Sequence, residues 1–216
     1  NLYSSQDKFK ESNFYLNISN FLNSKFIYNL SLTAENHFSN KEYKKAKKTL
    51  KKFKKEDDLY YWYRLKKEAQ IIAKQRNKKE SLNYITSNFD NIQQPNRRMI
   101  LDIANFYKNS KKYEKAAKYY SEIINSLNKD PQIKSDVLYR RGGSYERLGN
   151  YEDADKDLLN SLKINPNDAY VLNYLAYSWL ERDYKINEAI EMLETAYALK
   201  SNDPYIIDSI GWAYFM

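Results

Sequence analysis

The chain has 216 residues, 42% hydrophobic, 30% charged and 16% aromatic, with 4 Gly, 4 Pro and no Cys. So few turn formers exclude a sandwich or barrel of many short strands, and the missing thiols exclude disulfide frameworks, thiolate zinc sites and cysteine nucleophiles. The net charge of +8 is lopsided: residues 1–134 carry 28 basic against 14 acidic side chains and residues 135–216 carry 8 against 14, which implies different partners at the two ends.

Small and large apolar residues recur every 34–38 residues, in blocks that start at Ile27, Trp62, Arg97, Ser135, Ala169 and Pro204. Each block reads as two antiparallel helices. Small residues at positions 8 and 20 let them approach closely, and large apolar ones at 4, 7, 11 and 24 fill the groove between them. In chain order, residues 1–26 form a partial repeat, with Phe9 at position 17 and Ser12 at position 20 of a second helix. Block 27–61 carries Leu30, Ala34, His37, Ala46, Leu50 and Phe53, and block 62–96 carries Leu65, Ala69, Ile72, Ser81 and Ile85. Block 97–134 has Ile100, Ile103, Ala104, Tyr107, Ala116 and Tyr120. Block 135–168 is the clearest, with Leu138, Gly142, Tyr145, Ala154 and Leu158; Gly149-Asn150 breaks its first helix and Pro166 ends its second.

Block 169–203 carries Leu172, Leu175, Ala176 and Trp179, then, after a one-residue insertion, Ala189, Leu193 and Ala196. Residues 204–216 supply a first helix without its second, with Ile207, Ile210, Gly211 and Tyr214. Position 7 departs from the apolar rule at Thr33, Glu68 and Arg141. Neither end carries the polar cap that a stacked array needs, so the expectation is a segment cut from a longer solenoid.

This pattern resembles the tetratricopeptide repeat (TPR). The resemblance implies an all-α fold, a right-handed α-α superhelix, with residues 1–216 as a single TPR solenoid. The 35-residue spacing also fits a pentatricopeptide array, but the small and aromatic positions follow TPR.

Chemistry is sparse. His37 is the one histidine and occupies an aromatic packing position, the carboxylates show no metal-loop spacing, and no glycine-rich phosphate loop exists. The expectation is a protein that is no enzyme, with no cofactor, no metal and no small-molecule substrate. A TPR array instead offers a concave groove lined by positions 2, 5, 9 and 12 of each first helix. In the acidic half these are Asp136, Tyr139, Gly143 and Glu146, then Tyr170, Asn173, Tyr177 and Leu180, then Tyr205, Asp208, Trp212 and Phe215. Tyr139, Tyr170, Tyr177, Tyr205, Trp212 and Phe215 make an aromatic wall for a peptide or partner helix. Asn173 is placed to bond an extended backbone, and Asp208 to prefer a basic group.

The other candidate surface is the run KEYKKAKKTLKKFKKEDD, with nine Lys between 41 and 55. Ala46, Leu50 and Phe53 face inward at helical spacing, leaving Lys44, Lys45, Lys47, Lys48, Lys51, Lys52, Lys54 and Lys55 on the outer, convex arc. An AT-rich genome accounts for much of the lysine excess; the functional reading is attraction to an anionic surface, lipid or nucleic acid. A nucleic-acid- or surface-associated repeat protein is therefore the alternative to a protein scaffold. No aromatic on that arc argues for base stacking.

Residues 169–215 carry more specific motifs: Leu172-Asn173-Tyr174-Leu175-Ala176-Tyr177, Asn187-Glu188-Ala189 and Asp208-Ser209-Ile210-Gly211-Trp212-Ala213-Tyr214. These resemble the C-terminal repeats of Gram-negative envelope TPR proteins, with Ala176 in place of Gly. That resemblance implies a periplasmic or outer-membrane-associated adaptor and a processing protease as partner; a cytoplasmic location is the alternative.

Overall fold

The computed structural model describes residues 2–24, 26–56, 58–127 and 130–215. Asn1 and Met216, the outer bounds of the expected array, and Asp57 of the lysine-rich string lie outside the described residues. The chain divides into two compact units, Asn1–Gln94 and Pro95–Met216, and among the described residues every regular element is a helix. None is long and apolar enough to cross a membrane.

The first unit contains α1 (Leu2–Ser5), α2 (Phe9–Leu22), α3 (Tyr28–Ser39), α4 (Tyr43–Leu50), α5 (Asp58–Gln75) and α6 (Lys78–Phe89). α3 packs against both α2 and α4, and α5 against α6. The second unit contains α7 (Arg97–Asn109), α8 (Tyr113–Ser126), α9 (Pro131–Glu146), α10 (Tyr151–Ile164), α11 (Ala169–Leu180), α12 (Ile186–Leu199) and α13 (Pro204–Phe215). Each of these helices packs on the next, and α11 also reaches α13.

The helix pairs close on small residues. Ala34, Ala46, Ala69, Ala104, Ala116, Ala154, Ala176 and Ala189 are all buried. At Gly142 the approach leaves no room for a side chain: a Cβ there would sit 3.0 Å from Leu158 Cγ and 3.2 Å from the Ala154 carbonyl oxygen. In α5, Ile71 is fully buried and Ile72 only half so.

A left-handed residue recurs where the first helix of a hairpin ends: Asp7 (φ 58°), Lys41 (59°), Lys111 (57°), Gly149 (75°) and Asp183 (49°). The N–H of the following residue then bonds five residues back, as in Lys8→Tyr3 (2.9 Å), Glu42→His37 (2.8 Å), Lys112→Tyr107 (2.9 Å), Asn150→Tyr145 (3.0 Å) and Tyr184→Trp179 (2.9 Å). This is the Schellman closure that satisfies orphan helix carbonyls. Only Gly149 announces it in the sequence; Lys and Asp hold the same conformation at a cost of about 1–2 kcal/mol. α6 starts differently, on extended Asn77, whose side chain accepts from the Glu80 N–H.

The polar residues at position 7 have partners. The Arg141 guanidinium donates to both carboxylate oxygens of Asp157 (2.6 and 2.7 Å) and to Ser121 Oγ (2.9 Å). The Tyr84 hydroxyl donates to Glu68, and this pair, like Arg141–Asp157, is 16 residues apart. Thr33 turns its hydroxyl back to the Asn29 carbonyl (2.8 Å).

Two expectations are corrected. α4 ends at Leu50, so the lysine run is a short helix followed by a turn; Phe53 is still buried, carried inward by Lys52→Thr49 and Phe53→Leu50 backbone bonds and stacked on Tyr60 at 5.5 Å. Leu180, read as a groove residue, is fully buried among Trp179, Ala189 and Leu193, because α11 is apolar on more than one side.

Asp157→Ala should lower stability by about 3 kcal/mol, since it strands a half-buried guanidinium. The double change Arg141→Leu/Asp157→Leu should recover most of that loss in urea midpoints. Equal losses in the single and double variants would contradict the coupling.

Candidate functional site

The first helices α11 and α13 bring part of the expected aromatic wall together. α11 starts on Asp168, whose carboxylate accepts from the Tyr170 and Val171 N–H groups (3.1 and 3.3 Å); Leu172, Leu175, Ala176 and Trp179 then turn inward. α13 starts on Asp203, which accepts from the Tyr205 N–H (3.0 Å), and buries Ile206, Ser209 and Ala213. The faces left over meet in a cleft of about 560 Å³ lined by Tyr177, Ile207, Asp208, Gly211, Trp212 and Phe215. Trp212 and Phe215 stack at 5.9 Å and are 42% and 80% exposed, so their rings are available rather than spent on the core.

The charged residue in the cleft lining is acidic. Asp208 is exposed on its wall, and the Glu181 carboxylate next to the Tyr177 hydroxyl raises that tyrosine's pKa. The Asp208 carboxylate beside three aromatic rings favours a cationic group, held by charge and by the ring faces. Asn173 lies half-buried on α11, and its Oδ1 is buried with no hydrogen-bond partner among the described residues. Asn173 is not part of the cleft lining, and an unpaired buried acceptor costs the fold about 1–3 kcal/mol.

The other expected groove residues fall elsewhere. Tyr170 is tied into its own cluster, donating to Asp203 Oδ2 (3.1 Å) with Lys200 Nζ 4.5 Å from its ring centre. Tyr205 is 77% exposed at the start of α13, outside the cleft lining. Tyr139 lines a separate hollow of about 180 Å³ with Lys108, Tyr113, Gly143, Arg147 and Tyr174. There it packs edge-to-face on Tyr174 (5.8 Å), whose hydroxyl donates to Glu146 (2.9 Å). Burial and then the Arg140 charge pull the Lys108 ammonium below the usual lysine range.

Sequence reasoning missed Ile207 and Gly211, which the repeat register assigns to packing, and Tyr174 and Arg147 in the hollow. Gly143 inside a helix was the available signal: its missing side chain leaves the space over which the Tyr174 hydroxyl sits, 3.4 Å from where a Cβ would be.

In the first unit, Lys44, Lys45, Lys48, Lys51, Lys52, Lys54 and Lys55 are exposed, whereas Lys47 is half-buried and donates to Gln75 Oε1 (3.1 Å). Lys45 pairs with Glu42 (2.7 Å); that bond, with the one from His37 (2.7 Å), holds the Glu42 carboxyl down at about 2. His37 is thus half-buried and engaged, beside the hairpin turn.

Residues 135–168 and 98–126 match models of the tetratricopeptide repeat. The chain is 41% identical over 80 residues to a TPR repeat-containing protein of Methanocaldococcus jannaschii and 31% identical over 104 residues to one of Pseudomonas aeruginosa. Those matches cover 37% and 48% of this chain but only 13% and 17% of the two relatives. Among solved structures, a tetratricopeptide repeat protein of Parabacteroides merdae aligns with a TM-score of 0.67 at 20% identity, over 88% of this chain and 72% of that one. The APC/C hetero-tetramer Cut9-Hcn1 aligns with a TM-score of 0.66 at 17% identity, over 98% of this chain and 40% of that one. The C-terminal part of a Cytophaga hutchinsonii TPR protein gives 0.62 at 16% identity, over 99% and 86%. The chain carries tetratricopeptide repeats and has the all-α fold of TPR solenoid proteins.

Asn173→Leu removes the unpaired acceptor and should raise thermal stability, by about 1 kcal/mol. A destabilised variant would show that solvent already satisfies the amide.

Proposed function

We propose that this tetratricopeptide-repeat chain is a non-catalytic protein-interaction scaffold, and that α11 and α13 hold a peptide or partner helix presenting a basic side chain. The observation that carries this is the cleft itself. Tyr177, Trp212 and Phe215 are aromatic anchors left accessible on two first helices that pack on one another, with Asp208 among them. Anchors of this kind dominate binding energies, and a carboxylate beside them selects Lys or Arg.

The non-catalytic part of the proposal rests on the repeat family and on chemistry: the one histidine is bonded to Glu42 beside a turn. The setting we propose is the bacterial cell envelope, with a processing protease as partner; both rest on the resemblance of residues 169–215.

The test is a selection of short random peptides displayed on phage, against the wild-type chain and Tyr177→Ala/Trp212→Ala. Enriched peptides should pair Lys or Arg with an aromatic or aliphatic residue, bind with weak salt dependence, and lose at least tenfold in affinity for the double variant. Equal affinity for both proteins would contradict the proposal.

A further inference from the structure

The outward positions of the second helices are polar along the chain, except in one place. In the five full repeats, positions 22, 26 and 29 hold Lys, Asn, Ser, Asp, Glu, Thr and a single Ala; on α8 they are the exposed Lys118, Glu122 and Asn125. On α2 the equivalent residues are Phe14, Ile18 and Phe21, which are 61%, 42% and 88% exposed. Residues spaced by four and three lie on one helix face, so this is a continuous apolar stripe rather than scattered exposure.

The same three positions one repeat later, 34 residues on, are Lys48, Lys52 and Lys55. All three are exposed and form no ion pair among the described residues. α3 packs on both α2 and α4; Lys48 lies on α4, and Lys52 and Lys55 lie in the turn that follows its end at Leu50. The first unit therefore exposes both an aromatic-aliphatic stripe on α2 and a set of unpaired lysines on and just after α4, and its residues 1–94 carry 19 basic against 10 acidic side chains.

We propose that the α2 stripe and these lysines together form a peripheral docking site for an anionic lipid bilayer. Phe14, Ile18 and Phe21 enter the boundary between headgroups and acyl chains, and Lys48, Lys52 and Lys55 pair with the anionic headgroups. The pairing of features is what selects lipid. Lysines alone would fit any polyanion, but an apolar stripe gains nothing from phosphates in water and much from the acyl boundary. The surface is distinct from the peptide cleft and does not depend on it.

The experiment is flotation of the full chain with vesicles of phosphatidylcholine alone and of phosphatidylcholine mixed with phosphatidylglycerol. Binding should require the anionic lipid. Phe14→Ser/Ile18→Ser/Phe21→Ser should lose at least tenfold at low salt. Lys48→Gln/Lys52→Gln/Lys55→Gln should lose roughly fivefold per lysine. Both variants are checked for wild-type circular dichroism, and Phe21→Ser alone serves if the triple change unfolds α2. The proposal is overturned by equal binding to neutral and anionic vesicles. It is also overturned if the serine variant binds like wild type while single-stranded DNA competes, which would leave a plain polyanion site. A dimer by ultracentrifugation that the serine changes dissolve, without vesicle binding, would assign the stripe to a second copy.

Discussion

Two helices can pack at backbone distance only where neither carries a side chain larger than a methyl group. That constraint organises the pairs α3–α4, α7–α8, α9–α10 and α11–α12, while in α5–α6 Ser81 takes the close position by donating to the Ala69 carbonyl (2.7 Å). At Gly142 even a methyl is too much, since Leu158 and the Ala154 carbonyl already occupy the space. Elsewhere alanines such as Ala104 and Ala116 fill the same role and are fully buried. Once the contact point is fixed, so is the rotation of both helices. Which residues become core, which face inward from the first helix and which face outward from the second then follow from 3.6 residues per turn.

The surfaces with functional content are the places where that division of faces is used against the usual composition. On α11 and α13, aromatic rings remain on the open side although the core would accept them. On α2, apolar residues occupy positions that the other second helices fill with polar ones. Exposed apolar area of this kind opposes solubility and contributes nothing to folding, so partners of different chemistry are the economical explanation for each. One site couples rings to a carboxylate, the other couples an apolar stripe to lysines.

Much of the fold was legible because small residues at close approaches have few substitutes. Ala104, Gly142, Ala154 and Ala176 cannot be exchanged for large residues without separating the helices. The turn chemistry was not legible, because the left-handed position tolerates Lys41, Lys111 and Asp183 at modest strain, and only Gly149 betrays it. Glu68 and Arg141 at position 7 read as defects in sequence and prove to be paired, because a partner 16 residues away becomes a neighbour only after the hairpin closes. For the site, residue type located the rings but not their company. Tyr170 was drawn off by Asp203 and Lys200, Leu180 by the core, and Tyr139 by Tyr174. Each of those outcomes depends on a neighbour contributed by another helix, which the repeat register alone does not specify.

The most direct test of the close-approach constraint is a comparison of urea unfolding midpoints for Gly142→Ala, Gly143→Ala and Gly211→Ala. All three glycines lie inside helices, where Ala is intrinsically better by about 1 kcal/mol. Gly142→Ala should nevertheless destabilise, because its Cβ would meet three atoms at 3.0–3.2 Å, whereas Gly143→Ala meets only ordinary contact and Gly211→Ala meets nothing within 4 Å. Those two should be neutral or stabilising. A stabilised Gly142→Ala, in line with the other two, would show that close approach at this contact does not set the packing of the pair.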